Sequence, residues 1–401
     1  MKVCIITGLY PPYGRGGAEA VAAGAAAEFV ASGHEVFVIT AQPLAGLKSL
    51  LPEAKQENNI KVYRFFPLNF FFYGNIGKHN FLLRALWHAL DLWNVHAFFS
   101  ISKILKTIRP DIVLTHNIKG FGLILPSALL SVRRENGLTY KWIHTVHDTQ
   151  LFSPSGLLKI EEENKWSYKI FSFITRALFC SPDVVVSPSK WLLDFYTSRG
   201  FFPKSEKRVV QNPTLNSQLS TLNSPENGSC HFLYLGQIEE HKGILFLLDA
   251  WKRFSASHPD TGLTIAGSGS LLHEVIKIAK DMPSIKILGA VPHEATGSLF
   301  GAHQATIIPS LVYENAPASI SESLSYGVPV IASAIGGIPE MVAEPRAGRG
   351  EDGVTGYLFE PGNTESLISA MEKIITSSLP AITPKPQPNY VSEILELIKN
   401  S

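Results

Sequence analysis

The 401-residue sequence has only three cysteines, Cys4, Cys180 and Cys230, far apart and odd in number. That excludes a disulfide framework and a zinc site of cysteine spacing, so the three read as small buried side chains in a reducing compartment. Apolar runs are short, and none reaches the roughly 18 residues of a membrane-spanning helix. The opening MKVCIITGLYPP lacks a signal-peptide pattern, because its apolar run stops at a glycine–proline turn. These absences predict a cytoplasmic protein. Charge is modest at 17%, against 45% hydrophobic residues, which excludes a disordered chain. Missing as well are a G-x-G-x-x-G dinucleotide fingerprint, a Walker A lysine loop, a G-x-S-x-G elbow and a D-x-D in a strand-end loop. Basic residues do not interleave with aromatic ladders, so no nucleic-acid platform is expected.

Present instead are two stretches of alternating strands and helices, each reading as an α/β domain with a parallel sheet. In the first, strands are expected at KVCIITG, 35–40, 61–66, 111–117, 141–148 and 183–189, with helices from Ala18 to about Ala31, about 80–108 and 160–179. In the second, strands are expected at CHFLYLG, GLTIAG, SIKILG, ATIIPS, PVIAS and GYLFEP, with helices near 243–257, 270–280, 317–326 and 364–377. Unbroken apolar runs suit strands buried on both faces. A polar stretch, 212–229, reads as a linker. The expected domains are 1–205 and 206–384, with a tail of about 385–401 returning to the first. The net charge of +1 divides unevenly. Residues 1–200 hold 21 Lys and Arg against 14 Asp and Glu, and residues 201–401 hold 14 against 20. The excess is either an attraction for an anionic partner or an uneven surface composition.

The most informative segment is PSLVYENAPASISESLSYGVPVIASAIGGIPE, with Glu314 and Glu322 eight residues apart. It reads as a strand over 305–309, a loop carrying one carboxylate, and a short helix with Pro317 in its first position. The amides of Ala318 and Ser319 have no intrahelical acceptor and favour an anion there. Ala318, Ser319 and Glu322 share one helical face. A ligand with a phosphate at the helix start and hydroxyls nearby would suit the arrangement.

This segment, E-x7-E followed by G-x-P-V-I-A and G-G-x-P-E, resembles the GT4-type retaining glycosyltransferases of the GT-B fold. The resemblance covers nearly the whole chain and is strongest in 231–362. It implies two Rossmann-like domains facing across a cleft and a nucleotide-diphosphate sugar as co-substrate, with no metal or other cofactor. Glu314 would face the donor sugar, with Asn315 and Ala316 beside it, and Glu322 would hold the ribose. In GLYPPYGRGGAE, Gly16 and Gly17 would meet the donor diphosphate, as a glycine-rich strand-to-helix loop allows. In YLGQIEEHKG, Lys242 would offer its ammonium to the same group. Gln237 stands where the family has an arginine, so half of that cationic clamp is missing. In HTVHDTQLF, His147 lies at a strand end and would contact the sugar near its reacting carbon; Asp148 would orient it, and His144 would point into the sheet. Backbone around Val291 would border the base, whereas Gly267 and Gly269 read as structural.

RFFPLNFFFYGN (64–75) reads first as a core-packed loop. The sharper reading is an exposed patch meeting a lipid-linked acceptor or a membrane surface, with 165–179 as a second contributor. The implied function is retaining transfer of a sugar to a glycan or lipid-linked acceptor, in surface polysaccharide or glycolipid assembly. The alternative is a non-catalytic nucleotide-sugar-binding subunit, which Gln237 favours. A GT-B epimerase would need an acid/base pair at the sugar that the sequence does not supply.

Overall fold

The computed structural model describes residues 1–399 except 15, 214–229, 345–352, 377–381 and 383–388. The expected linker therefore lies almost wholly outside the described residues, as does most of the proline-rich stretch before the last helix. The chain forms two compact units, Met1–Leu215 with Gln387–Ser401, and Asn216–Pro386.

The first unit is built on eight strands: β1 (Lys2–Ile6), β2 (Glu35–Ala41), β3 (Glu53–Glu57), β4 (Ile60–Phe65), β5 (Ile112–Thr115), β6 (Lys141–Thr145), β7 (Val184–Ser187) and β8 (Glu206–Val209). Their order is β3-β4-β2-β1-β5-β6-β7-β8, parallel except where β3 runs antiparallel to β4. The central strands are buried on both faces, which is why they read as unbroken apolar runs. Six helices follow in this unit: α1 (Gly17–Ala31), α2 (Phe81–Leu92), α3 (Val95–Ile108), α4 (Leu125–Asn136), α5 (Trp166–Phe179) and α6 (Lys190–Ser198).

The second unit carries six parallel strands: β9 (His231–Leu235), β10 (Gly262–Ala266), β11 (Ile285–Gly289), β12 (Ala305–Ile308), β13 (Val330–Ser333) and β14 (Gly356–Phe359). Their order is β11-β10-β9-β12-β13-β14. Its helices are α7 (Ile244–Ser257), α8 (Leu272–Ala279), α9 (Thr296–Gly301), α10 (Ala318–Ser325), α11 (Ile338–Met341) and α12 (Thr364–Thr376). The last helix, α13 (Tyr390–Lys399), belongs to the first unit. Its Tyr390, Val391, Ile394 and Leu397 are buried in the same apolar cluster as Ala22, Ala25 and Phe29 of α1.

Several expectations are corrected. The sheet of the first unit continues through β8, past the expected boundary at 205/206, because β8 pairs with β7. Strand β3 carries no apolar signal; its sequence EAKQE is largely exposed at the sheet edge. The expected helix over 80–108 is two helices. Asn94 breaks it by capping α3, its side chain accepting from the Ala97 amide. The helix expected at 160–179 begins at Trp166, after a short 3-10 turn at Ile160–Glu162.

In both sheets the connections reverse direction at one place, between β1 and β5 and between β9 and β12. Loops at the carboxyl ends of the two strands flanking such a switch point form the ligand crevice of open α/β sheets. Here those loops are 7–16 (residue 15 lying outside the described residues) and 116–124 in the first unit, and 236–243 and 309–317 in the second.

Candidate functional site

In the second unit, the loops after β9 and β12 are tied to each other. The Leu311 amide donates to the His241 carbonyl at 3.0 Å. Gly243 takes φ +74°, and a Cβ there would lie 1.8 Å from the Pro309 carbonyl oxygen, so only glycine lets the backbones approach this closely. The consequence is chemical. Lys242, just before Gly243, reaches across and its Nζ donates to Glu314 Oε1 at 2.5 Å. Ser310 Oγ donates to the same oxygen at 3.0 Å. Both bonds fall on Oε1, so among the described residues Oε2 remains to accept from a ligand, and an ammonium has further protons to offer.

The Glu314 main chain is fixed as firmly as its side chain. Its carbonyl accepts from the Gly337 amide at 2.8 Å. Gly336, at φ +65°, lies so close that a Cβ would sit 2.1 Å from that carbonyl oxygen. The G-G of the G-G-x-P-E motif is thus a backbone seat for Glu314.

Helix α10 begins one residue later than expected. Pro317 is its N-cap, at φ −58° and ψ 124°, and its carbonyl accepts from the Ile320 amide at 3.1 Å. Proline's fixed φ and following extended ψ suit this half-in position as well as the first helical one. Pro317 supplies no side-chain cap, and the amides of Ala318 and Ser319 have no intrahelical acceptor. Asn315 is buried, and Ala316, Ser319 and Glu322 are half-buried. Gln237 is exposed; its carbonyl accepts from the Tyr234 hydroxyl at 2.6 Å. Val291, half-buried, follows β11, whose Gly289 carbonyl accepts from the Gly267 amide at 2.7 Å. The 266–270 turn also packs on the loop after β9, with the Ile238 amide donating to the Ser268 carbonyl at 2.9 Å. Gly267 and Gly269 therefore serve loop packing.

In the first unit, Gly16 is the N-cap of α1 and Gly17 its first residue, exposed. The Gly16 amide is engaged by the carboxylate of Glu19, which also takes its own amide. This is the return half of a capping box. Burial pushes the Glu19 carboxyl up while those amides pull it down. Of the expected pair of donor-facing amides, Gly17 is the one not taken by Glu19.

His147 does not rely on Asp148 as expected. Its Nε2 lies 2.9 Å from His116 Nδ1, and the rings stack. Asp148 Oδ1 instead accepts from the Gln150 amide at 2.7 Å. The strand ends of β5 and β6 are adjacent, and the first residue past β5 and the second past β6 bring two histidines to one spot. Burial lowers His147 to about 4 and His116 well below the ordinary range, aided for His116 by the neighbouring histidines. Both rings are neutral at pH 7, and one donates to the other. His144 is buried as expected, lowered by burial to about 3, its Nδ1 2.9 Å from Thr115 Oγ1. His116 is not among the expected site residues, although DIVLTHN sets it at a strand end as HTVHD sets His147. Nor is Ser310, which a lone serine in a loop does not announce.

The aromatic run takes its first reading. Phe65, Phe66 and Phe72 are buried, and the Phe71 carbonyl accepts from the Trp87 indole at 2.8 Å. Only Leu68 and Phe70 among its large apolar side chains are exposed.

Comparison with known proteins agrees with this architecture. The family model described as "Glycosyltransferase Family 4" matches residues 15–214, and that described as "Glycosyl transferases group 1" matches 223–388. An uncharacterized glycosyltransferase of Methanocaldococcus jannaschii is 22% identical over 392 residues, covering 94% of this chain and 89% of that protein. Among solved structures, a lipopolysaccharide outer core galactosyltransferase superposes with a TM-score of 0.65 at 19% identity, covering 100% of this chain and 99% of the other. Anabaena HepE, solved in complex with UDP, gives 0.69 at 17% identity with 100% of both chains covered. At such identities the superpositions speak for the fold alone. Taken with the family matches along both units, they show that this chain belongs to the group 1, GT4-type glycosyltransferases and has the GT-B fold.

Proposed function

We propose that the protein moves a hexose from a nucleotide-diphosphate sugar to an acceptor hydroxyl with retention of anomeric configuration and without a metal. The observation that carries this is the Lys242–Glu314 pair at the switch point of the second unit, beside the start of α10. In the reaction the acceptor oxygen bonds to the anomeric carbon as the bond from that carbon to the diphosphate breaks. The acceptor proton passes to the donor phosphate. Negative charge grows on the departing diphosphate, and preorganised donors there supply the largest share of rate enhancement. Lys242 supplies the charge, and the amides of Ala318, Ser319 and Gly17 add fixed dipoles. Glu314 orients the sugar through Oε2, Asn315 and Ala316 line its approach, and Glu322 accepts from the ribose. Val291 borders the base. His147, neutral and held by His116, donates to the sugar. Gln237 adds a hydrogen bond without charge, leaving Lys242 as the main cation of the clamp.

The acceptor is a growing glycan or a lipid-linked sugar in surface polysaccharide assembly; the 28% identity over 213 residues to a lipopolysaccharide 1,2-N-acetylglucosaminetransferase of Salmonella typhimurium supports that class. UDP sugars are the first donors to test, since Anabaena HepE is solved with UDP and with UDP and glucose. Transfer assays with a panel of nucleotide sugars, read by NMR of the product's anomeric proton, test the proposal. Glu314→Ala and Lys242→Ala are each expected to lower turnover by about 100-fold or more. Near-normal transfer by both variants, or an inverted product, would reject it.

A further inference from the structure

Helix α2 is turned inside out. Its His88 and Asp91 share one side with the buried Trp87, and Arg84, one turn before His88, is exposed at the end of that side. That side packs on the chain. Asp91 is buried and its Oδ2 accepts from the Gly120 amide at 3.2 Å. The next residue beyond the helix turn, Asn94, donates to the Gly120 carbonyl at 3.4 Å. The opposite side is apolar and exposed: Leu82, Leu86, Ala89, Leu90 and Trp93, at i, i+4, i+7, i+8 and i+11, flanked by Phe81 and Leu83. Phe81 is 84% exposed, Leu82 68% and Trp93 59%. A globular helix normally places these sides the other way round. The stripe continues onto α3 through Val95 and Phe99, both exposed.

Charge along this stretch of the chain is mostly of one sign, although Lys106 pairs with Glu135 of α4 at 3.8 Å. From Phe70 to Pro110 the chain holds five cationic residues, Lys78, Arg84, Lys103, Lys106 and Arg109, all exposed. Its one acid in that span, Asp91, is buried. On α3 the outward row runs Val95, Phe99, Lys103, Lys106, at i, i+4, i+8 and i+11, so apolar side chains give way directly to ammonium groups. A second copy of this chain would set cations against cations. An anionic bilayer surface complements both parts, taking apolar side chains at the acyl boundary and lysines among its headgroups. Helix α5 repeats the outward apolar row with Trp166, Ile170, Phe173 and Ile174.

We infer that α2 and the start of α3 form an interfacial docking face by which the protein sits on an anionic membrane. The inner side of α2 rests on the loop after β5, at the switch point of the first unit. Docking would therefore bring that crevice to the lipid surface. This last consequence rests on the transferase reading; the docking does not, and its test uses no nucleotide sugar.

The test is co-sedimentation of the full chain with phosphatidylcholine vesicles, alone or mixed with phosphatidylglycerol, and sedimentation velocity without lipid. The wild type is expected to bind the mixed vesicles, more weakly as salt is raised. The triple substitution Leu82→Ser, Leu86→Ser, Leu90→Ser is expected to lower partitioning roughly tenfold or more at an unchanged melting temperature. Phe81→Ser with Trp93→Ser, at two further exposed positions, provides the same reading should the triple variant fold poorly. Lack of binding by the wild type, or equal binding by the variants, would overturn the inference. So would a concentration-dependent dimer that the substitutions abolish while no vesicle binding occurs.

Discussion

His147 illustrates how much of a site's chemistry lies one residue beyond the motif that announces it. Its ring is held by His116, so its tautomer follows from a neighbour and not from the adjacent Asp148. Burial depresses His116, His144 and His147 alike. A histidine depressed in the folded state and near 6.5 when unfolded contributes stability that is complete above pH 6.5 and is lost as pH falls toward 4. Each fully buried ring adds about 1.4 kcal/mol of destabilisation per pH unit in that window. Asp91 acts in the opposite sense, since burial raises its carboxyl to about 7. Its contribution falls as pH rises from about 4 to 7, so Asp91→Asn should steepen the acid loss. The check is melting temperature against pH for both proteins, with imidazole NMR. The three rings should stay neutral from pH 7 to pH 5; titration of His147 near 6.5 would contradict the assignment. The sequence did carry the site's ionic half: Glu314 and Lys242, proposed from motifs 72 residues apart, meet in one hydrogen bond. Ser310 and the His116 partnership were not legible, because their roles depend on which loops and strand ends become neighbours.

At the scale of elements, strands and long helices were legible because burial on both faces, or on one stripe, writes itself as apolar periodicity. The edge strand β3 escaped because it is held by pairing to β4 and needs no apolar residues. The break between α2 and α3 escaped because both helices are apolar and a single asparagine cap separates them. Outward-facing α2 was not legible either. Its periodicity is that of any amphipathic helix, and only the packing of Trp87 and Asp91 reveals which side faces in. Loops of the second unit follow a different logic, in which glycines permit close backbone contact. Gly336→Ala should therefore cost about 1–3 kcal/mol for the left-handed backbone alone, with more from contact with the Glu314 carbonyl. Denaturant unfolding would measure this. Transfer should fall with it, as the seat of Glu314 shifts. A stability change within about 0.5 kcal/mol, the usual range for surface substitutions, would show that the seat tolerates a side chain.

For the molecule as a whole, two Rossmann-like units, each with its own switch point, account for the alternating pattern of the sequence and for the placing of its motifs. The glycine-rich loop and His116 fall at the first switch point, with His147 at the end of the next strand; Lys242, Glu314 and the start of α10 fall at the second. Among the described residues no helix is long and apolar enough to cross a membrane. In the proposed function the second unit grips a nucleoside diphosphate through Lys242 and the amides at the start of α10. Thermal shift with UDP, GDP and ADP tests it most directly, since a ligand at a hundred times its Kd stabilises the native state by about 2.7 kcal/mol. One of the three is predicted to raise the melting temperature of the wild type, and to raise that of Lys242→Ala and Glu322→Gln far less. An equal shift in all three proteins, or none in the wild type, would contradict it.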